Sequence, residues 1–353
     1  MMGLLHMAVA AMGAPVTRGG PGPFAQCEPG MTCFQLRPYK YGVPLVFDCA
    51  KANVSAPVKG NVYFMHGNDG PRAKGMYALM MTAAAAQGYQ TLACDQRGFS
   101  PGASPYNETA YNYDRLVEDI FAIVDGHFGA GSKFHVVAHD QGARVAWHAL
   151  AGAEARSRFT SFTSLSIPHL DAFSDMMYGP NPEPKQQLNY AYVRDLTLPN
   201  SVLAYNQNIW HMICQGAYQY QTPQACQPAM WWYVGAYAAG AMALQPFNGF
   251  GPVGQQIGIP EDYVKANSPY PMEGFPQTNK TGVVSELPIQ YICGASELAD
   301  LCNDRARDDT AKYVAKYTYH RMDQCGHDLT KPQACPQYQE VIDNVLHHIE
   351  AAA

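Results

Sequence analysis

The stretch Val136–Ala143, VVAHDQGA, decides the fold. It begins as an apolar run typical of a buried strand and passes directly into an Ala-rich helical segment. Its x-Asp-x-Gly turn has the layout of a nucleophile elbow, in which a sharp bend lifts one side chain above the sheet. The small residues Ala138 and Gly142 flank the turn, as steric crowding there requires. The stretch therefore predicts that Asp140 is a carboxylate nucleophile. The alternative is that Asp140 only caps the following helix.

Strands and helices alternate on both sides of this elbow. A hairpin is expected within residues 35–50. Six apolar runs predict the strands Asn61–His66, Tyr89–Cys94, Lys133–Ala138, Phe159–Ile167, Pro288–Cys293 and Tyr317–Met322. Helices are predicted between them at Gly75–Gln87, Tyr113–Asp125, Ala143–Ala151, Arg305–Lys316 and Tyr338–Ile349. This alternation indicates an α/β fold with a mostly parallel sheet and helices on both of its faces.

The alternation stops for about a hundred residues and then resumes. Residues 170–285 are rich in Pro, Gly, Tyr and Trp, and they are too aromatic for a linker. We therefore expect one α/β core, made of residues 15–169 and 286–353, and a mainly helical cap or lid at 170–285. A length of 353 residues suits one domain with an insertion.

Composition narrows the range of partners. The formal net charge is -6, which disfavours a nucleic-acid binder because phosphate contacts need a basic face. Charged residues make up only 15% of the chain, and no apolar run is long enough to span a bilayer. These features predict a small-molecule, largely apolar substrate, with no nucleic-acid partner and no membrane span. The oligomeric state is left open.

The cysteines indicate an oxidising compartment. Ten are present, and several stand close together: Cys27 with Cys33, Cys214 with Cys226, and Cys325 with Cys335. Short-loop disulfides are the better interpretation, since no pair has the spacing of a zinc site. Cys94 and Cys293 lie within apolar runs, so they are expected to be buried free thiols.

Two further features predict a secreted glycoprotein. Residues 1–14 form a short apolar stretch ending in small residues, which we interpret as a signal peptide. Three sequons for N-glycosylation begin at Asn53, Asn107 and Asn279.

Two loops complete the expected site. The segment His66–Gly70 follows the first strong strand, where a backbone N–H of this fold helps to form an oxyanion hole. We assign the hole to the N–H groups of Asn68 and Gln141. His327 follows Gly326 just after the last strand, which is the place of the general base.

The base needs a carboxylate to fix its tautomer. Glu297 lies three residues after the glycine that ends the strand Pro288–Cys293, and it is the first choice. Asp300 is the alternative. The chain order of Asp140, Glu297 and His327 is then nucleophile, acid and base.

With these residues the chain resembles the epoxide hydrolase and haloalkane dehalogenase branch of the α/β-hydrolase fold superfamily. The shared features are the His-Asp-x-Gly elbow and Ser166–His169 (SIPH), which leads into the cap. The sequence departs from epoxide hydrolases at Asn68 and Asp69, where an aromatic residue and proline are usual. It departs from haloalkane dehalogenases at Gln141, where tryptophan is usual. Arg144 matches the second of two arginines that bind a carboxylate in fluoroacetate dehalogenases.

The resemblance implies a hydrolase that opens an epoxide through an alkyl-enzyme ester on Asp140, which water activated by His327 then hydrolyses. It implies two cap tyrosines that hydrogen-bond the epoxide oxygen. Tyr192 best resembles the first, and Tyr233 the second, with Tyr263 as a competitor. It implies no metal or organic cofactor.

Three alternatives stay open. A haloalkane or haloacid dehalogenase would use the same ester mechanism, and Asp171 could then supply the acid. A protein of another class, a non-catalytic small-ligand-binding protein, could keep the fold. The intact set of acid, base and nucleophile argues against this last interpretation, because a receptor needs none of them.

Overall fold

The computed structural model describes residues 27–38, 45–55, 57–68, 73–186, 211, 214–215, 220–238, 281–297 and 301–353. Eight strands in these ranges form one sheet in the order β1-β2-β4-β3-β5-β6-β7-β8. They are β1 (Met31–Leu36), β2 (Phe47–Ala52), β3 (Gly60–Met65), β4 (Tyr89–Cys94), β5 (Phe134–His139), β6 (Phe159–Leu165), β7 (Val284–Gly294) and β8 (Val314–Met322).

The last six strands pair in parallel, whereas β1 and β2 form an antiparallel hairpin whose second strand joins β4. All six residues of β5 are buried, because this central strand is covered by helices on both faces. The carboxyl ends of parallel strands lie along one edge of the sheet, so the loops after β3, β5, β7 and β8 come together there.

Eight helices are described: α1 (Ala78–Ala86), α2 (Tyr113–Phe128), α3 (Gln141–Ala149), α4 (Ala153–Arg158), α5 (Leu170–Tyr178), α6 (Pro223–Ala238), α7 (Asp304–Tyr313) and α8 (Tyr338–Ala352). The apolar residues of α1 and α8 pack together on one face of the sheet. Those of α2, α3 and α4 pack on the other. The predicted α/β architecture, a mostly parallel sheet with helices on both faces, is therefore confirmed.

Most boundaries agree with the sequence analysis within a few residues, and the differences have local causes. The predicted helix at Gly75–Gln87 is divided, because residues Ala73–Tyr77 form a 3-10 helix before α1 begins. The helix α3 begins at Gln141 rather than Ala143, because the elbow passes directly into it. The helix α4 was not predicted, since its six residues carry little periodic apolar signal.

The cap lies largely outside the described residues. Within 170–285 the structure describes α5 and α6 together with a few residues between them, and β7 begins at Val284. The predictions for Tyr192 and Tyr263 lie outside the described residues, and so does the sequon at Asn279. The division into core and cap therefore stays a prediction.

All ten cysteines form disulfides: Cys27–Cys33, Cys49–Cys94, Cys214–Cys226, Cys293–Cys302 and Cys325–Cys335. The expectation of free thiols at Cys94 and Cys293 was wrong. Cys94 stands directly opposite Cys49, where β4 pairs with β2, a neighbour that the apolar run alone does not reveal. Cys293 meets Cys302 across the turn that follows β7. Five disulfides point to an oxidising compartment.

This pairing predicts the result of thiol counting. In denaturant without reductant we expect no reactive thiol, and we expect ten after reduction, because every cysteine has a partner. Ellman titration of the unfolded chain measures both numbers. Several free thiols before reduction would contradict the pairing and the oxidising compartment together.

No helix in the described ranges combines the length and the apolar character that crossing a bilayer requires.

Candidate active site

Asp140 occupies a strained turn between β5 and α3. Its backbone has φ 50° and ψ −122°, a region that a residue with a side chain rarely adopts. Its N–H donates to the Leu165 carbonyl at 3.2 Å, so the turn is tied to β6. The side chain makes no capping hydrogen bond to α3, which rules out helix capping as the reason for an aspartate here.

Two glycines make room for this turn. A Cβ on Gly67 would lie 2.4 Å from Asp140 Cβ, and a Cβ on Gly142 would lie 2.4 Å from the His66 carbonyl oxygen. Real Cβ atoms do not approach so closely, so both positions need glycine for close approach. The elbow is thus pressed against the loop that follows β3.

His327 lies between two carboxylates. Its Nε2 is 3.3 Å from Asp140 Oδ2, and its Nδ1 is 2.6 Å from Glu297 Oε1. The Glu297 carboxylate is almost fully buried, whereas His327 is partly exposed. The three side chains come from loops after β5, β7 and β8, which the sheet brings to one edge.

The charges of this group reinforce one another. Burial lowers the pKa of His327, but the Glu297 carboxylate and the hydrogen bonds to Asp140 and Glu297 outweigh it and raise that pKa well above its ordinary value. Burial raises the pKa of Asp140, but the hydrogen bond and charge of His327 outweigh it and hold that pKa well below its ordinary range. Asp140 therefore stays ionised as a carboxylate.

The loop after β3 presents a backbone donor to Asp140. The Asn68 N–H donates to Asp140 Oδ1 at 2.9 Å. His66 fixes the peptide that carries this group. Its Nε2 accepts the Gln96 N–H at 2.8 Å, so its Nδ1 bears the proton and donates to the Gly67 carbonyl at 2.6 Å. Since that carbonyl points toward His66, the N–H on the other side of the same peptide points toward Asp140.

Gln141 is the first residue of α3 and is buried beside Asp140. The first N–H groups of a helix have no partner within it and carry the positive end of the helix dipole. The Gln141 N–H is therefore a second donor at this end of the helix. Its assignment to the oxyanion hole stays a prediction.

Two residues that the sequence analysis did not assign hold the His327 loop in place. Ser166 Oγ donates to the His327 carbonyl at 2.7 Å, and His139 Nε2 donates to the same oxygen at 2.9 Å. Ser166 has φ 67°, the second non-glycine residue with a positive φ in the described ranges. No sequence signal reveals these contacts, because they depend on the meeting of β5, β6 and the loop after β8.

Four further candidates from the sequence are Asp171, Asp300, Tyr233 and Arg144. Asp171 Oδ2 accepts the Gly282 N–H at 2.8 Å. Asp300 lies outside the described residues. Tyr233 belongs to α6, but its side chain is not described. Arg144 is fully buried in α3, with its guanidinium 5.1 Å from the Phe173 ring centroid.

Buried ion pairs hold the Asp95–Ser100 segment, which follows β4. Asp95 Oδ2 lies 2.5 Å from Lys74 Nζ in a buried ion pair, and Arg97 forms a two-point ion pair with Asp119 at 2.6 Å for each contact. These pairs anchor the loop after β4, whose Gln96 contacts His66.

No group of three or more His, Cys, Asp and Glu side chains within the described ranges is arranged to hold a metal ion.

Comparisons with known proteins show the family to which the chain is similar. The model of the alpha/beta hydrolase family matches residues 62–338. The chain is 32% identical to the probable oxidoreductase EphD of Mycobacterium tuberculosis over 94 residues. The matched stretch covers 27% of this chain and 16% of that protein. It is 36% identical to epoxide hydrolase B of Mycobacterium tuberculosis over 86 residues. This second stretch covers 24% of this chain and 23% of the hydrolase. The chain thus covers well under half the length of these curated relatives.

A solved structure extends the likeness over the whole fold. It belongs to a set of epoxide hydrolases from metagenomes of hot environments, and its TM-score is 0.61 at 17% identity. The likeness covers 91% of this chain and 98% of that one. The strained elbow, the sheet order and the match over residues 62–338 agree with the resemblance already described: the chain belongs to the alpha/beta hydrolase family.

Proposed function

We propose that the chain is an epoxide hydrolase that converts a small, largely apolar epoxide into a vicinal diol through an ester on Asp140. One observation carries the proposal. The Asp140 carboxylate has one oxygen held by the Asn68 N–H and the other within 3.3 Å of His327, which in turn contacts Glu297. An ionised carboxylate beside a base with its own acid partner suits ester formation followed by ester hydrolysis.

In the first step Asp140 acts as the nucleophile. One carboxylate oxygen attacks a ring carbon, the bond from that carbon to the epoxide oxygen breaks, and its electrons pass to the oxygen. That oxygen takes a proton from a tyrosine hydroxyl, and we assign this role to Tyr192 and Tyr233 from the family resemblance. The lowered pKa of Asp140 supports this step, because the carboxylate is ionised and ready to attack.

In the second step water hydrolyses the ester. His327 Nε2 takes a proton from water, the hydroxide attacks the ester carbonyl carbon of Asp140, and the N–H groups of Asn68 and Gln141 stabilise the negative oxygen that forms. The intermediate collapses by breaking the acyl bond to the alcohol oxygen, which takes the proton that His327 Nε2 accepted. The carboxylic acid formed on Asp140 loses its proton, which returns to the tyrosinate. The diol leaves, and Asp140 is a carboxylate again.

Ester formation itself prepares the base. The charge and hydrogen bond of Asp140 are among the causes that raise the pKa of His327. Once Asp140 is an ester its negative charge is gone, so that contribution is lost and the pKa of His327 falls. The imidazole is then more often neutral, which is the form that accepts a proton from water. Ester formation in the first step thus favours the neutral imidazole that the second step needs.

The names of related proteins support an epoxide as the substrate, since one curated relative is an epoxide hydrolase and the solved structure above belongs to a set of epoxide hydrolases. The strained backbone at Asp140 argues against a purely ligand-binding protein. Such strain costs on the order of 1–3 kcal/mol and persists where the surrounding structure enforces it, most often at functional sites.

A matched panel of substrates tests the function. We expect styrene oxide and simple alkyl epoxides to give diols, and we expect the Asp140→Asn variant to give none. The corresponding alkyl chlorides and chloroacetate serve as comparison, with halide release measured by ion chromatography. Halide release without diol formation would mean that the protein is a dehalogenase and not an epoxide hydrolase. If neither epoxides nor halides were converted, a ligand-binding protein would be favoured.

The choice of acid partner gives a separate prediction. We expect Glu297→Gln to slow ester hydrolysis by about 100-fold or more, because the imidazolium loses the carboxylate that stabilises it. The same change lowers the pKa of His327, so the acid limb of the pH profile for ester hydrolysis should move to lower pH. Pre-steady-state kinetics measure both effects.

Two matched variants serve as controls for this experiment. Asp171→Asn keeps an oxygen to accept the Gly282 N–H, and we expect it to turn over like the wild type. We expect the same of Asp300→Asn. If Glu297→Gln turned over normally and one of the controls accumulated the ester, the residue replaced in that control would be the acid partner of His327.

We also propose that the chain is secreted and glycosylated, with residues 1–14 as the signal peptide. Asn53 and Asn107 are exposed, as glycan attachment requires.

A further inference from the structure

Two of the five disulfides close the loops that carry Glu297 and His327. The bond Cys293–Cys302 joins the ends of the loop that contains Glu297, and the bond Cys325–Cys335 joins the ends of the loop that contains His327. All four cysteines are buried. Each disulfide spans a short stretch, with sequence separations of 9 and 10.

The two loops are also bound to each other beneath the side chains. The Ser296 N–H donates to the Cys325 carbonyl at 3.0 Å, and the Ala295 N–H donates to the Met322 carbonyl at 2.9 Å. Gly294 lies so close to the second loop that a Cβ there would overlap the Gly326 carbonyl oxygen at 2.0 Å. Cys293 and Cys325, one from each disulfide, therefore lie where the backbones of the two loops are in contact.

The contact between Glu297 and His327 requires that both loops keep a fixed position. A hydrogen bond of 2.6 Å between Glu297 and His327 needs both side chains to be held within a few tenths of an ångström. Both stand on loops after strands, and an open loop has many conformations of similar energy. A covalent bond between the loop ends removes most of those conformations.

We propose that Cys293–Cys302 and Cys325–Cys335 are positioning elements of the site, which hold Glu297 against His327. The remaining disulfides lie elsewhere in the fold. Cys27–Cys33 stands at β1, the edge of the sheet opposite to β7 and β8, and therefore provides a matched control.

The proposal has a readout that needs no substrate. Four ionisable groups surround His327: Glu297 on its own disulfide-closed loop, Asp140 on the elbow, His139 with its ring centroid 4.9 Å away, and the adjacent Asp328. Of these, Glu297 is the one that the first disulfide holds. Loosening its loop should therefore lower the pKa of His327 toward the ordinary value.

The experiment compares three double variants, Cys293→Ala/Cys302→Ala, Cys325→Ala/Cys335→Ala and Cys27→Ala/Cys33→Ala. The pKa of His327 is measured by following its imidazole Cε1–H signal by NMR, with His327→Gln used to assign the signal. We expect a fall in both site variants and no change in the control. An unchanged pKa in both folded site variants would overturn the proposal.

Activity forms a second arm, which rests on the proposed function. In the site variants we expect ester hydrolysis to slow by about 10- to 100-fold while the rate of ester formation changes little, because Glu297 assists His327 in the hydrolysis step. If the proposed function fails, no ester is seen in any protein, yet the NMR arm still decides the proposal. The two failures are therefore distinguishable.

A third measurement applies if a site variant does not fold. The wild-type protein is partly reduced under native conditions with dithiothreitol, which gives two electrons and two protons to each disulfide that it opens. Alkylation and peptide mass mapping then give the open fraction of each disulfide. We expect the shift of the His327 signal to follow the opening of Cys293–Cys302 and Cys325–Cys335. A shift that followed Cys27–Cys33, or no shift at all while the site disulfides opened, would overturn the proposal.

Discussion

Replacing His327 with Gln is expected to stop turnover at the ester. Asp140 keeps the hydrogen bond from the Asn68 N–H, and we expect it still to open the epoxide. Ester hydrolysis loses the base that activates water, and we expect the steady-state rate to fall about 1,000-fold or more. Intact-mass spectrometry after substrate addition should show a stable adduct, and peptide mapping should place it on Asp140.

A control variant separates this effect from general loss of histidine. His320→Gln changes another histidine of the same region, on β8, and should turn over normally without an adduct. An adduct on a serine in the His327→Gln protein would contradict the carboxylate mechanism. So would the absence of any adduct with a substrate that the wild type converts.

Replacing Gly142 with Ala is expected to destroy the elbow. The new Cβ would lie 2.4 Å from the His66 carbonyl oxygen and 2.6 Å from the Met65 carbonyl oxygen, both of which are backbone atoms. Neither can move freely, since β3 is held between β4 and β5. We expect a loss of about 3 kcal/mol in the free energy of unfolding and loss of diol formation. Urea unfolding and the epoxide assay measure the two effects.

Gly60→Ala is the matched control for this change, because Gly60 lies on β3, the strand whose Met65 carbonyl the new Cβ at position 142 would strike. A Cβ there would meet the Tyr89 ring at 3.6 Å, which is ordinary contact. We expect this variant to unfold and to turn over much like the wild type. If Gly142→Ala behaved like Gly60→Ala, the close approach of elbow and strand would be wrong.

Much of the fold could be predicted because the parallel strands carry long apolar runs between helices of regular period. The strand Tyr89–Cys94 and the start of the helix at Tyr113 follow directly from this pattern. The elbow at Asp140 could be located because such a tight turn requires small residues on either side, and Ala138 and Gly142 are visible in the sequence. The order of Asp140, Glu297 and His327 along the chain also indicated which loops would meet.

What could not be predicted depends on pairs that are distant in sequence. Cys94 was expected to be free, because nothing in its own run shows that β2 lies beside it. The contacts of Ser166 and His139 with the His327 carbonyl join three separate elements, and neither residue carries a local signal for them. The disulfide Cys293–Cys302 was missed for a different reason: its cysteines are 9 residues apart, but Cys293 is indistinguishable from other buried strand residues.

The central claim is that Asp140 forms the ester, and oxygen-18 labelling in a single turnover tests it most directly. Enzyme in excess over a styrene oxide substrate is allowed to react once in oxygen-18 water. Because hydroxide attacks the carboxyl carbon of the ester, the label should enter the Asp140 side chain, and the diol should carry unlabelled oxygen from the enzyme. The peptide that contains Asp140 should therefore gain the isotope mass difference. A labelled diol and an unlabelled peptide after the first turnover would mean that water attacks the epoxide directly, and would contradict the account.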